Sequence, residues 1–311
     1  MSQSGTTCKK EDDMQYITEI NSYKSEMPSA VTLGKFDALH RGHQKLINKI
    51  REYADKDTVS IVCAFDMGRQ ALLTADEKRT LLCKQTDYLI ACPFTKDLRE
   101  MEAENFIREI LAKRFQAAHI VVGTDFRFGH GKRGDTAMLE KYADEYGYSL
   151  DVIEKERHEG AVISSTYVRE SLAEGNVMLA NTLLGYRYRL SGEVQHGKQL
   201  GRRLGFPTMN VFPEKKKIMP RFGVYSCRIL VEGIWYHGIG NVGVKPTVAD
   251  TEHPLAEVFV FDYKGDAYGR QVTVEFCDFL RPEKKFDTVE ALKRQVENDI
   301  TKGKLYFGKV Q

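Results

Sequence analysis

The chain has 311 residues, of which 42% are hydrophobic and 29% charged, and its formal net charge is +2. That length fits about two domains, each large enough to bury its own core, and the near-neutral charge argues against a general nucleic-acid footprint. Six cysteines (Cys8, Cys63, Cys83, Cys92, Cys227 and Cys277) are scattered without a CxxC pair, which argues against a metal-ligand spacing or a disulfide framework. The opening MSQSGTTCKKEDD has no apolar stretch of the signal-peptide kind. No apolar run approaches the ~18 residues needed to cross a bilayer. These features predict a cytoplasmic protein with neither nucleic-acid nor membrane partners.

Residues 1–14 read as a polar tail. AVTL (Ala30–Leu33) is a short apolar run closed by Gly34, and Leu46, Ile47, Ile50, Tyr53 and Ala54 then fall on one helical face between His43 and Asp55. VSIVCAF (Val59–Phe65) and HIVVG (His119–Gly123) have the β-branched character of buried strands. Between them, Phe106, Ile107, Ile110 and Leu111 mark another amphipathic helix. Asp135 can cap a helix through Met138, Leu139, Tyr142 and Ala143, with Gly147 as its stop, before the strand-like SLDVIE. Strand–helix alternation of this kind predicts a parallel sheet with helices on both faces, whose ligands sit at the carboxyl ends of strands.

From about Tyr186 the rhythm shortens. YRLSGEVQ, VYSCRILVE, IWYHGIGNVG, AEVFVFDY and RQVTVEFCDF alternate between apolar and polar residues and are separated by turn residues, the pattern of an antiparallel sheet or small barrel. Val289, Leu292, Val296 and Ile300 stripe a final helix over 288–301. The boundary between the two folds is placed near Gly185.

LGKFDALHRGHQ (Leu33–Gln44) follows the first apolar strand and opens a helix. His40 and His43 would lie about one turn apart there, able to donate to phosphate oxygens at a helix N-terminus, with Gly42 letting a nucleotide approach the backbone. By spacing alone, a surface histidine pair at a helix start fits as well. AVISSTYVRESLAEG offers the hydroxyls of Ser164, Ser165 and Thr166 before a short helix, with Arg169 close behind; simple N-capping is the alternative. In VVGTDFRFGHGKRGD, Arg127, Lys132 and Arg133 could meet phosphates and Phe126 or Phe128 a planar ring, unless this is only a solvated basic loop. Three phosphate-friendly loops after successive strands point to transfer chemistry on a nucleotide, where positioning and charge stabilisation do most of the work.

In the second half, Gly197, Gly201 and Gly205 are mixed with Lys198, Arg202 and Arg203 in HGKQLGRRLGFPTMN. That makes a basic loop able to wrap phosphates without matching the P-loop pattern. Thr208 and Asn210, two apart in a strand, would present hard oxygens to one face, as Mg²⁺ requires. A kinase also needs an acceptor for the hydroxyl proton, and Glu257 in LAEVFVFDY is the candidate, although a strand glutamate more often faces solvent.

HRGH at 40–43 resembles the HxGH signature of the nucleotidyltransferase superfamily. ISSTYVRE (Ile163–Glu170) is similar to the second motif of one branch, the bacterial bifunctional riboflavin kinase/FMN adenylyltransferase (FAD synthetase) family, and GTDFRFGHGKRGD resembles that branch's middle loop. LGFPTMN is very like its LGxPTxN motif, and FGVY, NVGVKPT and LRPEKKF match further segments, so the resemblance runs from about residue 28 to 302.

The resemblance implies a Rossmann-like α/β nucleotidyltransferase domain over 15–184 and an antiparallel β-barrel riboflavin kinase domain with a C-terminal helix over 185–311. For adenylyl transfer it implies ATP binding by Gly34, Phe36, Asp37, His40, Gly42, His43, Ser164, Ser165, Thr166 and Arg169. His40, His43 and Arg169 would be catalytic, and Gly123, Asp125, Phe126, Arg127 and Phe128 would form an FMN or phosphate loop. For the kinase it implies ATP at Gly197, Lys198, Gly201, Gly205, Thr208 and Asn210. Mg²⁺ would sit on Thr208 and Asn210, the base would be Glu257, and the flavin would contact Arg281 and Phe286. Riboflavin, FMN, FAD and ATP are the implied partners of a monomer or weak homo-oligomer. Where relatives usually read GNFDGVHxGH, this chain has Lys35 and Ala38, and Phe65–Arg69 replaces a Pro-His-Pro loop. A riboflavin kinase with a weakened or inactive adenylyltransferase half, and a non-catalytic flavin-binding regulator, are the alternatives at this point.

Overall fold

The computed structural model describes residues 14–197, 201, 204–245 and 253–309. Residues 1–13 of the expected tail, Lys198, Arg202, Arg203 and the end of NVGVKPT lie outside the described residues. The chain divides into two compact units at Ser164/Ser165.

The first unit is built on six parallel strands: β1 (Gln15–Ile17), β2 (Ser29–Gly34), β3 (Val59–Asp66), β4 (Tyr88–Pro93), β5 (Ala117–Gly123) and β6 (Ser149–Ile153), in the spatial order β1-β4-β3-β2-β5-β6. From β2 the chain steps outward through β3 to β4, then returns to β2's other side for β5 and β6. The order therefore reverses between β2 and β5, the switch point beyond whose carboxyl ends sheets of this kind bind ligands.

Helix α1 (Arg41–Tyr53) crosses from β2 to β3 and buries Leu46, Ile47 and Ile50; α2 (Ala75–Leu82) follows β3. On the other face Val31, Leu33, Ile61, Cys63, Ile90 and Phe115 form the main core. After α3 (Lys96–Glu100) and α4 (Ala103–Asn105), the helix predicted around Phe106 runs from Phe106 to Arg114. It is wound wider than an α-helix, and at its end the Phe115 N–H reaches five residues back to the Ile110 carbonyl at 2.9 Å. No proline or glycine within it marks this in the sequence. Asp135 caps α5 (Thr136–Lys141) by accepting the Met138 N–H at 3.0 Å, and Gly147, at φ +72°, ends α6 (Ala143–Tyr146). A short hairpin, β7 (Arg157–His158) and β8 (Ala161–Val162), precedes Ser164.

The second unit starts with α7 (Ser165–Glu174) and α8 (Val177–Leu184). Both are tied to the barrel that follows: the Leu172 carbonyl accepts the Arg221 N–H at 2.8 Å, and Asn181 donates to the Phe276 carbonyl at 2.9 Å. Gly185, at φ +76°, ends α8 as the sequence suggests, but the compact unit begins twenty residues earlier because these bonds hold both helices.

Strands β9 (Arg189–Gln195), β10 (Thr208–Pro213), β11 (Gly223–Val231), β12 (Ile234–Lys245), β13 (His253–Val260) and β14 (Gln271–Pro282) close an antiparallel barrel in the order β10-β13-β12-β11-β14-β9. Tyr225, Cys227, Ile229, Val242, Val258 and Phe276 are fully buried in its core. Helix α9 (Val289–Lys309) outruns the predicted 288–301 because Phe307 continues its packing, stacked on His237 with ring centroids 4.0 Å apart.

Candidate active sites

The first constellation forms where β2 delivers the chain to α1. His40 is the residue before the helix, and its Nδ1 accepts the His43 N–H at 3.3 Å, the job usually done by serine or aspartate. The two imidazoles stack with centroids 3.7 Å apart and 14° between planes. Phe36, fully buried at φ +43°, packs against His43 at 5.0 Å and covers Gly34. A Cβ at Gly34 would come within 3.3 Å of the Phe36 ring, and one at Gly42 within 3.2 Å of His40. Gly34, Phe36, His40, Gly42 and His43 are thus brought together, and a side chain at either glycine would crowd the ring beside it.

Burial holds both imidazoles neutral. The His40 pKa is pushed down to about 4, chiefly by desolvation, and that of His43 well below its ordinary value by desolvation and then by the charge of its neighbour His40. Since His40 Nδ1 accepts, Nε2–H is its donor. His43 Nδ1 is buried without a hydrogen-bond partner among the described residues. Asp37 accepts the Leu72 N–H at 3.0 Å and so ties the loop to the approach of α2. Arg41, at 2.7 Å, and Lys45 both pair with Glu156.

The middle loop is more ordered than a solvated basic segment. Phe128 and Gly134 exchange two backbone hydrogen bonds at 3.1 and 3.0 Å, and Phe128 packs in the core against Phe106 at 5.5 Å. Phe126 stacks on Phe128 at 5.6 Å, Asp125 pairs with Lys155 at 2.8 Å, and the exposed Arg127 turns back to the Phe126 carbonyl. Gly123 ends β5 beside Asp125. Arg133 pairs with Glu102 at 3.0 Å. In the second motif, Ser164 ends the first unit, while Ser165 and Thr166 form the first turn of α7 and Arg169 lies one turn on.

In the second unit a cavity of about 320 Å³ lies along the barrel wall beneath α9. Asn210 of β10, Glu257 of β13 and Asn241 of β12 are direct cross-strand neighbours, so their side chains share one face, and all three line this cavity with Thr208. Glu257 lies within β13 rather than before it. Asn210 is buried and its Oδ1 has no hydrogen-bond partner among the described residues. A Cβ at Gly197 would overlap the Asn210 amide, and one at Gly201 would sit 2.5 Å from the Phe206 carbonyl oxygen and 3.4 Å from Thr208 Oγ1. Both glycines line the cavity; Gly205, at φ +87°, is a turn residue outside it.

Arg281 and Phe286 line the same cavity, with the guanidinium 5.9 Å from the ring. Its Nε and Nη2 are engaged by Asp299 at 2.9 and 2.7 Å, and Nη1 donates to the Pro282 carbonyl. Asp299, Asn241 and Glu283 are cavity residues the sequence reading did not single out. Asp299 had a faint signal: it sits three residues after Val296, on the apolar stripe of α9, where a charged residue needs a partner.

A model of the FAD synthetase family matches residues 22–167 and one of the riboflavin kinase family matches 184–307. The pairing is that of a nucleotidyltransferase-type α/β domain followed by a kinase-type barrel. An Escherichia coli K12 protein named bifunctional riboflavin kinase/FMN adenylyltransferase is 35% identical over 291 residues, 89% of this chain and 92% of that protein. A Pseudomonas fluorescens protein of the same name is 33% identical over 92% of this chain and 96% of its own length. A solved Streptococcus pneumoniae structure, described as a macrolide-efflux protein, superposes with a TM-score of 0.82 and 30% identity over 92% of this chain and 97% of that one. The chain belongs to the bifunctional riboflavin kinase/FMN adenylyltransferase family. No helix among the described residues is long and apolar enough to cross a membrane.

Proposed function

We propose that this chain makes FMN from riboflavin and ATP in its barrel unit, and FAD from FMN and a second ATP in its α/β unit. The observation that carries the reading is that both signature sets are assembled in one chain, the neutral histidine pair at the start of α1 and the Thr208–Asn210–Glu257 wall of the barrel cavity.

In the kinase step, Glu257 accepts the proton of the riboflavin 5′-hydroxyl as that oxygen attacks the γ-phosphorus of ATP and ADP departs. Asn210 Oδ1, a buried acceptor with no described partner, and Thr208 beside it are hard oxygen donors that fit Mg²⁺. When bound there, the ion would neutralise phosphate charge. Gly197, Lys198, Gly201 and Gly205 are assigned to the nucleotide. Phe286 offers the flavin a ring, and Arg281, held by Asp299 through Nε and Nη2, offers its planar face.

In the adenylyl step, a phosphate oxygen of FMN attacks the α-phosphorus of ATP and pyrophosphate leaves. The imidazole N–H groups donate to the phosphates as neutral donors, and no covalent intermediate on the protein is needed. Asp37, Ser164, Ser165, Thr166 and Arg169 are assigned to ATP, and Gly123, Asp125, Phe126, Arg127 and Phe128 to the FMN side, Phe128 as part of the packed base of that loop. The departures from the family pattern leave the histidine cradle whole: Ala38 is fully buried beside it and Lys35 is exposed. A cytoplasmic protein acting as a monomer or weak homo-oligomer completes the reading.

The test is a time course with riboflavin, ATP and Mg²⁺, followed by chromatographic separation of the flavins. FMN should appear first, then FAD. His40→Ala should abolish FAD formation and spare FMN formation, and Glu257→Gln should do the reverse when FMN is supplied. FMN accumulating without FAD would leave a kinase alone. No new flavin would leave a flavin-binding regulator.

A further inference from the structure

The adenylyl site needs positive charge, and its two histidines do not supply it at neutral pH, since burial holds both uncharged. The cations of the first turns of α1 are also committed: Arg41 and Lys45 both pair with Glu156. Lys78 is placed differently. It lies on α2, whose start is fixed twice. Thr74 and Glu77 form a reciprocal capping box, and Leu72, two residues before the cap, donates its N–H to Asp37 of the HxGH loop at 3.0 Å. Helix α2 is thereby attached to the loop that carries the histidines.

Lys78 is half-buried, and no carboxylate among the described residues comes within ion-pairing distance of its ammonium. The groups its charge faces are Asp37, Asp66 and His43, which belong respectively to the loop after β2, the carboxyl end of β3 and the first turn of α1. These three mark the carboxyl edge of the sheet beside the switch point. Partial desolvation of an ammonium without a close counter-ion is costly, and it lowers the lysine's proton affinity while the two aspartates hold it up. A bound polyphosphate would remove that cost. His43 Nδ1, buried and unpartnered among the described residues, is a second polar group in this cluster without a protein ligand.

We propose that Lys78 is a further phosphate-binding cation of the adenylyl-transfer site, contacting the β- and γ-phosphates of ATP that leave as pyrophosphate. The inference rests on the adenylyl-transfer reading above. In the step, the bond from the FMN phosphate oxygen to the α-phosphorus forms while the bond from the α-phosphorus to the bridging oxygen breaks. That electron pair leaves with pyrophosphate. Lys78 keeps its proton throughout and offsets the charge gathering on the leaving group.

The experiment compares full-length wild type, Lys78→Met and Lys78→Arg, assaying FMN to FAD and riboflavin to FMN separately. The reverse reaction, FAD plus pyrophosphate, is followed as well. Lys78→Met should lower kcat/KM for ATP in FAD formation by about 100- to 1,000-fold, the usual loss on removing one charge-stabilising donor. The KM for pyrophosphate should rise in the reverse direction, while FMN formation is unchanged. Lys78→Arg, which keeps the charge, should recover part of the loss; a purely structural lysine would lower the melting temperature and raise the KM for FMN as much as that for ATP. FAD formation by Lys78→Met within threefold of wild type, with unchanged KM for ATP and pyrophosphate, would overturn the proposal. So would a loss that tracks melting temperature in both variants. Absence of FAD from the wild type would instead overturn the underlying reading, and the inference with it.

Discussion

Replacing His40 with asparagine should flatten the acid sensitivity of the first unit. In the folded chain the His40 pKa lies near 4, because the ring is 7% exposed and its charged form is desolvated; unfolded, the side chain titrates near 6.5. The folded state therefore binds fewer protons below neutrality, and its stability falls as the pH drops from about 6.5 towards about 4. At about pH 5 this one group costs on the order of 2 kcal/mol relative to pH 7. His43 adds a cost of the same sign. Asparagine is itself a good helix cap and can accept the His43 N–H in place of Nδ1, so His40→Asn removes the proton linkage without removing the cap. Thermal unfolding at pH 7 and at pH 5, followed for the transition of the first unit, reads the difference. The wild type should lose about 4–8 °C more than the variant for a unit of roughly 150 residues. Equal losses in both proteins would mean that His40 titrates normally in the fold, and the argument for neutral phosphate donors would fail with it. In activity terms, FAD formation should show no step near pH 6.5 assignable to His40.

Gly197→Ala should cut riboflavin phosphorylation at least about tenfold, since the new methyl group occupies the space of the Asn210 amide, while FAD formation from supplied FMN persists; steady-state assays of the two steps decide it. Asp299→Ala leaves the half-buried Arg281 guanidinium without its carboxylate, so a loss of about 3–5 kcal/mol is expected in urea unfolding of the barrel, together with weaker flavin binding measured by fluorescence quenching. Gly129→Ala combines φ +70° with a Cβ only 2.7 Å from the Ala103 backbone. It should destabilise the middle loop, seen as faster amide hydrogen exchange over 124–134 and a lower rate of FAD formation.

The order of most elements and the placing of the candidate site residues were readable in the sequence because local rules set them. Buried parallel strands announce themselves as β-branched runs, Gly147 and Gly185 do stop their helices in left-handed conformations, and Thr208, Asn210 and Glu257 could be named from a strand's two-residue period and a motif. Strand β4 was not expected: YLIACP is short and ends in proline, and it is a strand because β3 lies alongside it in register. The wide winding after Phe106 has no sequence mark, being settled by packing against the sheet. Asp299 became a site residue only when α9 folded over the barrel and met Arg281, 18 positions away in sequence.

The sequence by itself determined two successive folds, a histidine pair at a helix start, and the shared face of Thr208 and Asn210 on the barrel strand, since each is marked by a local residue pattern. Only the tertiary structure decided that the histidines are neutral, because their charge state depends on how much water the surrounding sheet and helices exclude. It alone attached α7 and α8 to the barrel, turned Arg281 towards Asp299, and tied the approach to α2 to Asp37. Those outcomes depend on long-range packing and desolvation, which no local pattern of residues encodes.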